Sequence, residues 1–270
     1  MQIVLCDDAD HAAREAAKWV QALLVQKSNP VLGLATGSTP IRLYQELIRL
    51  YQQQKISFAN CMTFNLDEYF DIAPEHPQSY RSFMQHQLFN HVDIDRQNTH
   101  LPACFDGQNP RRVGLEYEQR IAAAGGIDLQ ILGIGSNGHI GFNEPTSSLA
   151  SRTRLKTLTA QTLSDNSRLF EPGEVQPTMA MTMGIATIMD ARYVLLIATG
   201  KAKAEAVRQM VCGPVSAYCP ASILQMHEHA IVVLDKDAAS LIAEQQYLRI
   251  AEQENQRMIE MYGLQFIADR

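Results

Sequence analysis

Short apolar runs recur along the chain, and between them the apolar residues repeat with helical spacing. The runs are "QIVLC" (Gln2 to Cys6), "VLGLA" (Val31 to Ala35), "CMTFNL" (Cys61 to Leu66), "IDLQILGIG" (Ile127 to Gly135), "YVLLIAT" (Tyr193 to Thr199) and "AIVVLDK" (Ala230 to Lys236). Each is short and continuously apolar, the mark of a strand buried on both faces. The spacing between them predicts helices over Ala9 to Gln26, Pro40 to about Gln53, Ser79 to Phe89, Pro110 to Ala124, Ala202 to Val211 and Ala238 to Tyr262. Strand–helix alternation of this kind predicts an α/β fold: a Rossmann-like three-layer sandwich around a largely parallel central sheet. No repeat or low-complexity linker interrupts it, so residues 1–270 read as a single domain.

One segment breaks the pattern. Ser151 to Met183 is polar, contains Pro172 and Pro177, and shows no clear period. Composition leaves two readings open there, a lid or binding loop at about 151–183 and a surface excursion without a role.

Composition narrows the class. Apolar residues make up 46% of the chain and charged residues 19%, enough core for a folded domain. The formal net charge is -6 and no basic block occurs, so no nucleic-acid partner is expected. An anionic ligand would have to be drawn by local positive features. No apolar run approaches the ~20 residues of a membrane span, and the N-terminus lacks the pattern of a signal peptide. Five cysteines (Cys6, Cys61, Cys104, Cys212 and Cys219) form no C-x-x-C pair, and their odd number argues for reduced thiols in the cytosol. Cys6 and Cys61 lie in apolar runs and are expected in the core. The histidines show no metal-ligand spacing, so no metal is expected.

Four places offer chemistry. In "LGLATGSTPIRLYQEL" the small residues Thr36, Gly37, Ser38 and Thr39 end a strand, and Pro40 suits the first turn of a helix. Free amides, hydroxyls and the positive helix end would form an anion site there, suited to one phosphate monoester; the plainer reading is a helix capped by Thr39. In "FNLDEYFD", Asp67 and Glu68 follow a strand directly, where one acid can face the cleft as a general base and the other face outward. "GIGSNGHIGFNEP" (Gly133 to Pro145) has dinucleotide-loop spacing, but no helical period follows Gly138 and Pro145 disfavours one. What remains is a glycine-rich turn presenting His139 and Glu144, a proton-transfer pair near neutral pH. Arg168 in "NSRLF" and Lys203 in "TGKAKAEAV" are cations near loop–helix junctions, with Lys201 a rival to Lys203.

The pieces "LGLATGSTP", "FNLDEY", "HPQSY", "GIGSNGHIGFNEP", "SLASRTRLKTLT", "NSRLF" and "TGKAKAEA" together resemble the glucosamine-6-phosphate deaminase (isomerase) family, from about Val31 to Ala206. The resemblance implies an enzyme, a C–N hydrolase that isomerises, converting D-glucosamine 6-phosphate and water to D-fructose 6-phosphate and ammonium in N-acetylglucosamine catabolism, without cofactor. It implies that Asp67 moves the C2 proton to C1, that His139 opens the ring with Glu144 in its relay, and that Thr36, Gly37, Ser38 and Thr39 bind the phosphate with Arg168 and Lys203. Some members read N-D-G-H where this chain has Asn137, which cannot ionise and so can only orient His139 by hydrogen bonding. The resemblance further implies a homo-oligomer, a hexamer where N-acetylglucosamine 6-phosphate acts as activator, with matching positions at Ser147, Arg154, Lys156, Thr157 and Tyr247. A 6-phosphogluconolactonase-like hydrolase and a non-catalytic sugar-phosphate sensor are the alternatives.

Overall fold

In a computed structural model, residues 1–167, 170 and 173–263 are described. β1 (Gln2–Cys6) leads into α1 (Ala9–Gln26), and β2 (Val31–Leu34) into α2 (Thr39–Gln52). After β3 (Met62–Asn65) come β4 (Asp67–Tyr69), α3 (Tyr80–Gln87), β5 (Thr99–His100), α4 (Pro110–Ala123) and β6 (Leu129–Leu132). The chain continues through β7 (Arg154–Thr157), α5 (Ala160–Ser167), β8 (Met179–Thr182), α6 (Ile185–Met189) and β9 (Tyr193–Ala198). It ends with α7 (Ala204–Cys212), β10 (Ala230–Asp235) and α8 (Gln245–Tyr262).

Seven strands form one sheet in the order β1-β10-β9-β6-β2-β3-β5, parallel at every pairing. β9 and β10 are buried along their whole length, as their unbroken apolar runs require. Helix α1 follows its periodic signal closely: the Asp8 side chain caps it by accepting from His11 N at 2.7 Å. Its alanine-rich stripe, Ala12, Ala13, Ala16, Ala17, Val20 and Leu23, is buried. At the amino ends of the strands the buried Asp128 accepts from Val31 N and from Lys27 Nζ, both at 2.8 Å, and pairs with Arg192.

Four elements differ from expectation. The segment 151–183, expected to lack a period, carries β7, α5 and β8; β7 and β8 join β4 in a small antiparallel sheet. β5, only two residues long, was invisible as an apolar run. The helix expected from Ala238 starts at Gln245, and Ala238, Ala239 and Ile242 are instead buried in the turns ahead of it. Helix α2 begins at Thr39, so the cap position falls to Ser38, whose side chain makes no capping bond. Cys6, Cys61, Cys104 and Cys219 are buried free thiols and Cys212 is exposed. Among the described residues no helix is long and apolar enough to cross a membrane.

Candidate active site

The strand order turns back on itself between β2 and β6, because the chain builds outward to β3 and β5 on one side and to β9, β10 and β1 on the other. Open parallel sheets bind ligands at such a crossover, beyond the carboxyl ends of the strands. The loops that follow β2, β3, β6 and β9, four neighbours in the sheet, carry the residues singled out above.

The loop after β2 is open. Gly37 has φ +94° and nothing lies within 4 Å of where a side chain would project. Ser38 and Gly37 are exposed and Thr36 and Thr39 half-buried, and the uncapped first-turn amides of α2 face the same region. Gly133, at the end of β6, lies against Thr39: a side chain there would meet Thr39 Cβ at 3.7 Å.

The loop after β6 is a tight turn, with Gly138 N bonded to Gly135 O at 3.0 Å and Gly135 N to His139 O at 2.9 Å. No helix begins at Gly138, as expected from the sequence. Any side chain on Gly135 would overlap the His139 ring at 2.2 Å, so the imidazole lies directly over that glycine. Gly138, at φ +83°, is backed by Cys219. His139 Nδ1 stands 3.4 Å from Glu144 Oε2, close enough for charge pairing though too poorly aligned for a hydrogen bond. Glu144 is 3% exposed. Burial alone would raise its pKa, but the adjacent His139 ring, Thr162 and Asn137 outweigh it and hold the carboxyl down at about 2. Thr159 Oγ1 donates to Glu144 Oε1 at 3.2 Å and Thr162 Oγ1 donates to the same oxygen. Asn137 Nδ2 donates to Glu144 Oε2 at 2.9 Å, and its Oδ1 accepts from the His139 backbone N–H at 3.2 Å. Asn137 thus hydrogen-bonds the backbone of His139 and the side chain of Glu144.

Asp67 opens β4 and is 5% exposed. Burial, and secondarily the charge of Glu68, push its carboxyl up to about 8, and no hydrogen bond from a described residue offsets this. A side chain on Gly141 would lie 3.4 Å from Asp67 Oδ2, which places this carboxylate beside the loop that carries His139 and Glu144. Glu68 does not face outward as alternation suggested; it is 3% exposed. Its carboxylate accepts the N–H groups of Tyr69 and Tyr80 at 2.9 Å and of Arg81 at 3.0 Å, fixing the start of α3.

That start of α3 matters for Tyr80, which sequence reasoning passed over. Its hydroxyl lies close to Thr36 of the open loop and to Tyr69. Its ring stacks on Phe142 at 6.0 Å and an 11° interplanar angle. Tyr80 thus ties the loop after β2 to the loop after β6. Only the quoted run "HPQSY" pointed at it, through the Ser79 cap, whose Oγ accepts from Ser82 N at 3.0 Å. Tyr69, Phe142, Leu158, Leu163 and Phe170 cluster around it, so the segment 151–183 packs directly on the site.

Lys203 is half-buried at the cap of α7, at the carboxyl end of β9, whereas Lys201 is exposed. Arg168 lies outside the described residues. The five positions expected at an activator site do not converge within one chain. Arg154 Nη1 donates to Asn143 Oδ1 at 2.8 Å, next to Glu144, while Lys156 is half-buried and Thr157 exposed on the same strand β7. The Ser147 hydroxyl is buried without a hydrogen-bond partner. Tyr247 is 69% exposed on α8, which packs on β1 at the far edge of the main sheet. Among the described residues no three His, Cys, Asp or Glu side chains have metal-holding geometry.

The chain as a whole is similar to known proteins. Residues 7–233 match the family described as glucosamine-6-phosphate isomerases/6-phosphogluconolactonase. The chain is 63% identical over 264 residues to a glucosamine-6-phosphate deaminase of Colwellia psychrerythraea, covering 98% of each chain. It is 60% identical over 263 residues to one of Pseudoalteromonas translucida, covering 97% of this chain and 98% of that one. A solved structure described as a monomeric glucosamine-6-phosphate deaminase superimposes with a TM-score of 0.86 at 41% identity, covering 89% of this chain and 100% of that one. With this coverage and identity, the chain belongs to the glucosamine-6-phosphate deaminase family.

Proposed function

We propose that the chain converts D-glucosamine 6-phosphate and water into D-fructose 6-phosphate and ammonium. One observation supports the reading: at the sheet's crossover lie a turn with open backbone amides, a buried carboxylate with no hydrogen bond among the described residues, and a His/Glu pair. The Thr36–Thr39 turn holds the phosphate, with Arg168 and Lys203 adding positive charge. His139 removes the anomeric proton and supplies one to the ring oxygen. Glu144, ionised throughout the neutral range, stabilises the imidazolium that forms between these two transfers. Asp67 then carries the C2 proton to C1 of the open chain. Its raised pKa makes it a stronger base than an ordinary carboxylate, matched to work near neutrality. The shift leaves an imine at C2; water adds to it and ammonium departs. The carbon chemistry is an aldose–ketose isomerisation, and the C–N hydrolysis follows from it. The phosphate serves as a remote handle that holds C1 and C2 under Asp67.

The rival within the same family description, lactone hydrolysis, needs no base for a carbon acid, and a buried Asp67 with no hydrogen-bond partner among the described residues favours the isomerase chemistry. A coupled assay for fructose 6-phosphate and ammonium tests both. Wild type is expected to release the two in equal amounts, and Asp67→Asn to lose them together. No ammonium from wild type would end the deaminase reading; full turnover by Asp67→Asn would end the role of Asp67 as base.

The segment 151–183 acts as the site's lid in this reading, since Thr159 and Thr162 hold Glu144 and Phe170 packs edge-on against Tyr69. We extend the proposal to a cytosolic homo-oligomer, supported by the free thiols and by the exposed Tyr247, Ile250, Met258 and Met261 on α8. Activation by N-acetylglucosamine 6-phosphate in a hexamer would use Ser147, Arg154, Lys156 and Thr157, with Tyr247 supplied by another copy. A sigmoidal substrate curve that the activator makes hyperbolic supports this, and a hyperbolic curve without activator ends it.

A further inference from the structure

Away from the catalytic loops, a cavity of about 260 Å³ opens between α3, β5 and α4, lined by Arg81, His100, Gln108, Glu116, Tyr117 and Arg120 among others. None of the residues assigned above to proton transfer or phosphate binding lines it. Its walls are fixed. The Tyr117 hydroxyl donates to Asn65 O at 2.7 Å and His100 O at 3.3 Å, and the His100 ring packs on Phe64 with centroids 4.9 Å apart.

The charges in this cavity are unbalanced. Among the described residues neither the Arg81 nor the Arg120 guanidinium has a side-chain hydrogen bond or ion pair, and the His100 ring nitrogens have no hydrogen-bond partner. Glu116 is the acid on the wall, and its Oε1 is taken by Arg112 Nε at 2.7 Å. Glu68, on the inner side of α3, spends its carboxylate on three backbone N–H groups. Burial first, then the charges of Arg120 and Arg81, hold the His100 imidazole below its ordinary range. Arg81 also sits in the first turn of α3, where the helix field opposes a cation. The half-buried Arg81, which also feels the charge of Glu68, and the exposed Arg120 present two guanidiniums to one cavity beside an imidazole held towards its neutral form, a donor set that an anion would complete.

We propose that this cavity binds a small multivalent anion, a phosphate or polycarboxylate group, held by Arg81 and Arg120 with His100 as a third donor. The guanidinium fork suits both oxyanions. The volume falls below the roughly 300–1,000 Å³ of sites for drug-sized ligands, which leaves room for one anionic group and a few further atoms and none for a nucleotide.

NMR of the histidine ring signals in the intact protein tests this, with inorganic phosphate and citrate added separately at constant ionic strength. His100→Gln assigns the His100 signal, and the His139 signal reports occupancy of the catalytic site. At least one probe is expected to move His100 saturably towards its charged form, with a midpoint different from that of His139. Arg81→Gln and Arg120→Gln should each weaken that response roughly tenfold or more, as loss of a charge-assisted bond requires, and leave deamination unchanged. Three results would overturn the proposal: a His100 signal indifferent to both probes, a response that survives in the Arg81→Gln/Arg120→Gln double variant, or a midpoint that tracks His139 throughout.

Discussion

Replacing Asp67 by Asn removes a titrating group from the interior while nearly conserving its shape, and the consequence for stability follows from the site's geometry. In the fold Asp67 titrates at about 8, against 3.8 for the free side chain. Its folded pKa is raised, so the fold binds this proton more tightly than the unfolded chain does. The stability this contributes is complete below pH ~4 and is lost as the pH climbs through ~8. A shift of about four units at ~1.4 kcal/mol each sets a ceiling of roughly 6 kcal/mol. The measured span falls below it, because Glu68 is buried beside Asp67 and the two titrate together. Urea unfolding followed by the fluorescence of Trp19, the chain's one tryptophan, gives the stability of both proteins from pH 4 to 9. Groups common to wild type and variant cancel in the difference. Asp67→Asn should match wild type near pH 4 and exceed it by several kcal/mol near pH 9, while its deaminase activity falls about 10²-fold or more. A stability difference that stays flat from pH 4 to 9 would show that Asp67 is not held above the ordinary carboxylate range. The account of it as a strengthened base would then fail. Stability is the cleaner readout here, because a kinetic pH profile also contains the ionisations of an amino sugar phosphate.

Asn137→Asp should keep the fold but place a carboxylate within hydrogen-bond distance of Glu144, in place of the 2.9 Å donor. Like charge raises a carboxyl pKa, so the acid limb of activity should move to higher pH, measured as kcat/KM; an unchanged profile contradicts the role of Asn137 in holding Glu144. Gly135→Ala should displace the His139 ring and lower kcat at least about tenfold with little change in substrate affinity, since the added methyl has no other place to go. Tyr80→Phe keeps the stacked ring and removes the hydroxyl beside Thr36, so KM should rise about five- to tenfold with kcat nearly constant if that hydroxyl steadies the turn with the strength of one hydrogen bond. Asp128→Ala leaves the buried Val31 N–H without its carboxylate acceptor and removes one partner of the half-exposed Lys27 and Arg192, and should cost about 1–3 kcal/mol in urea unfolding without altering KM.

The parts of this fold that could be read from the sequence are those whose burial is decided locally. β1 and α1 fall where the apolar run and the capped alanine stripe put them, because four consecutive apolar residues, Ile3 to Cys6, bury on both faces and a helical stripe buries on one. β5, β7 and β8 escaped because runs of two to four residues become a strand only through the partner that completes their hydrogen bonds. The same division runs through the site. Thr36–Thr39, Asp67, His139 and Glu144 could be proposed from sequence, since small residues, an acid and an imidazole stand there at the ends of apolar runs. Glu68 and Tyr80 could not, because the importance of each lies in a contact between segments distant in sequence. A carboxylate that alternation would send to solvent is turned inward to cap α3, and only that cap brings the Tyr80 hydroxyl to Thr36. With Glu68 buried in this way, its charge adds to the burial of Asp67, the acid beside it. The feature least legible in the sequence therefore helps set the basicity of the residue that was easiest to pick out.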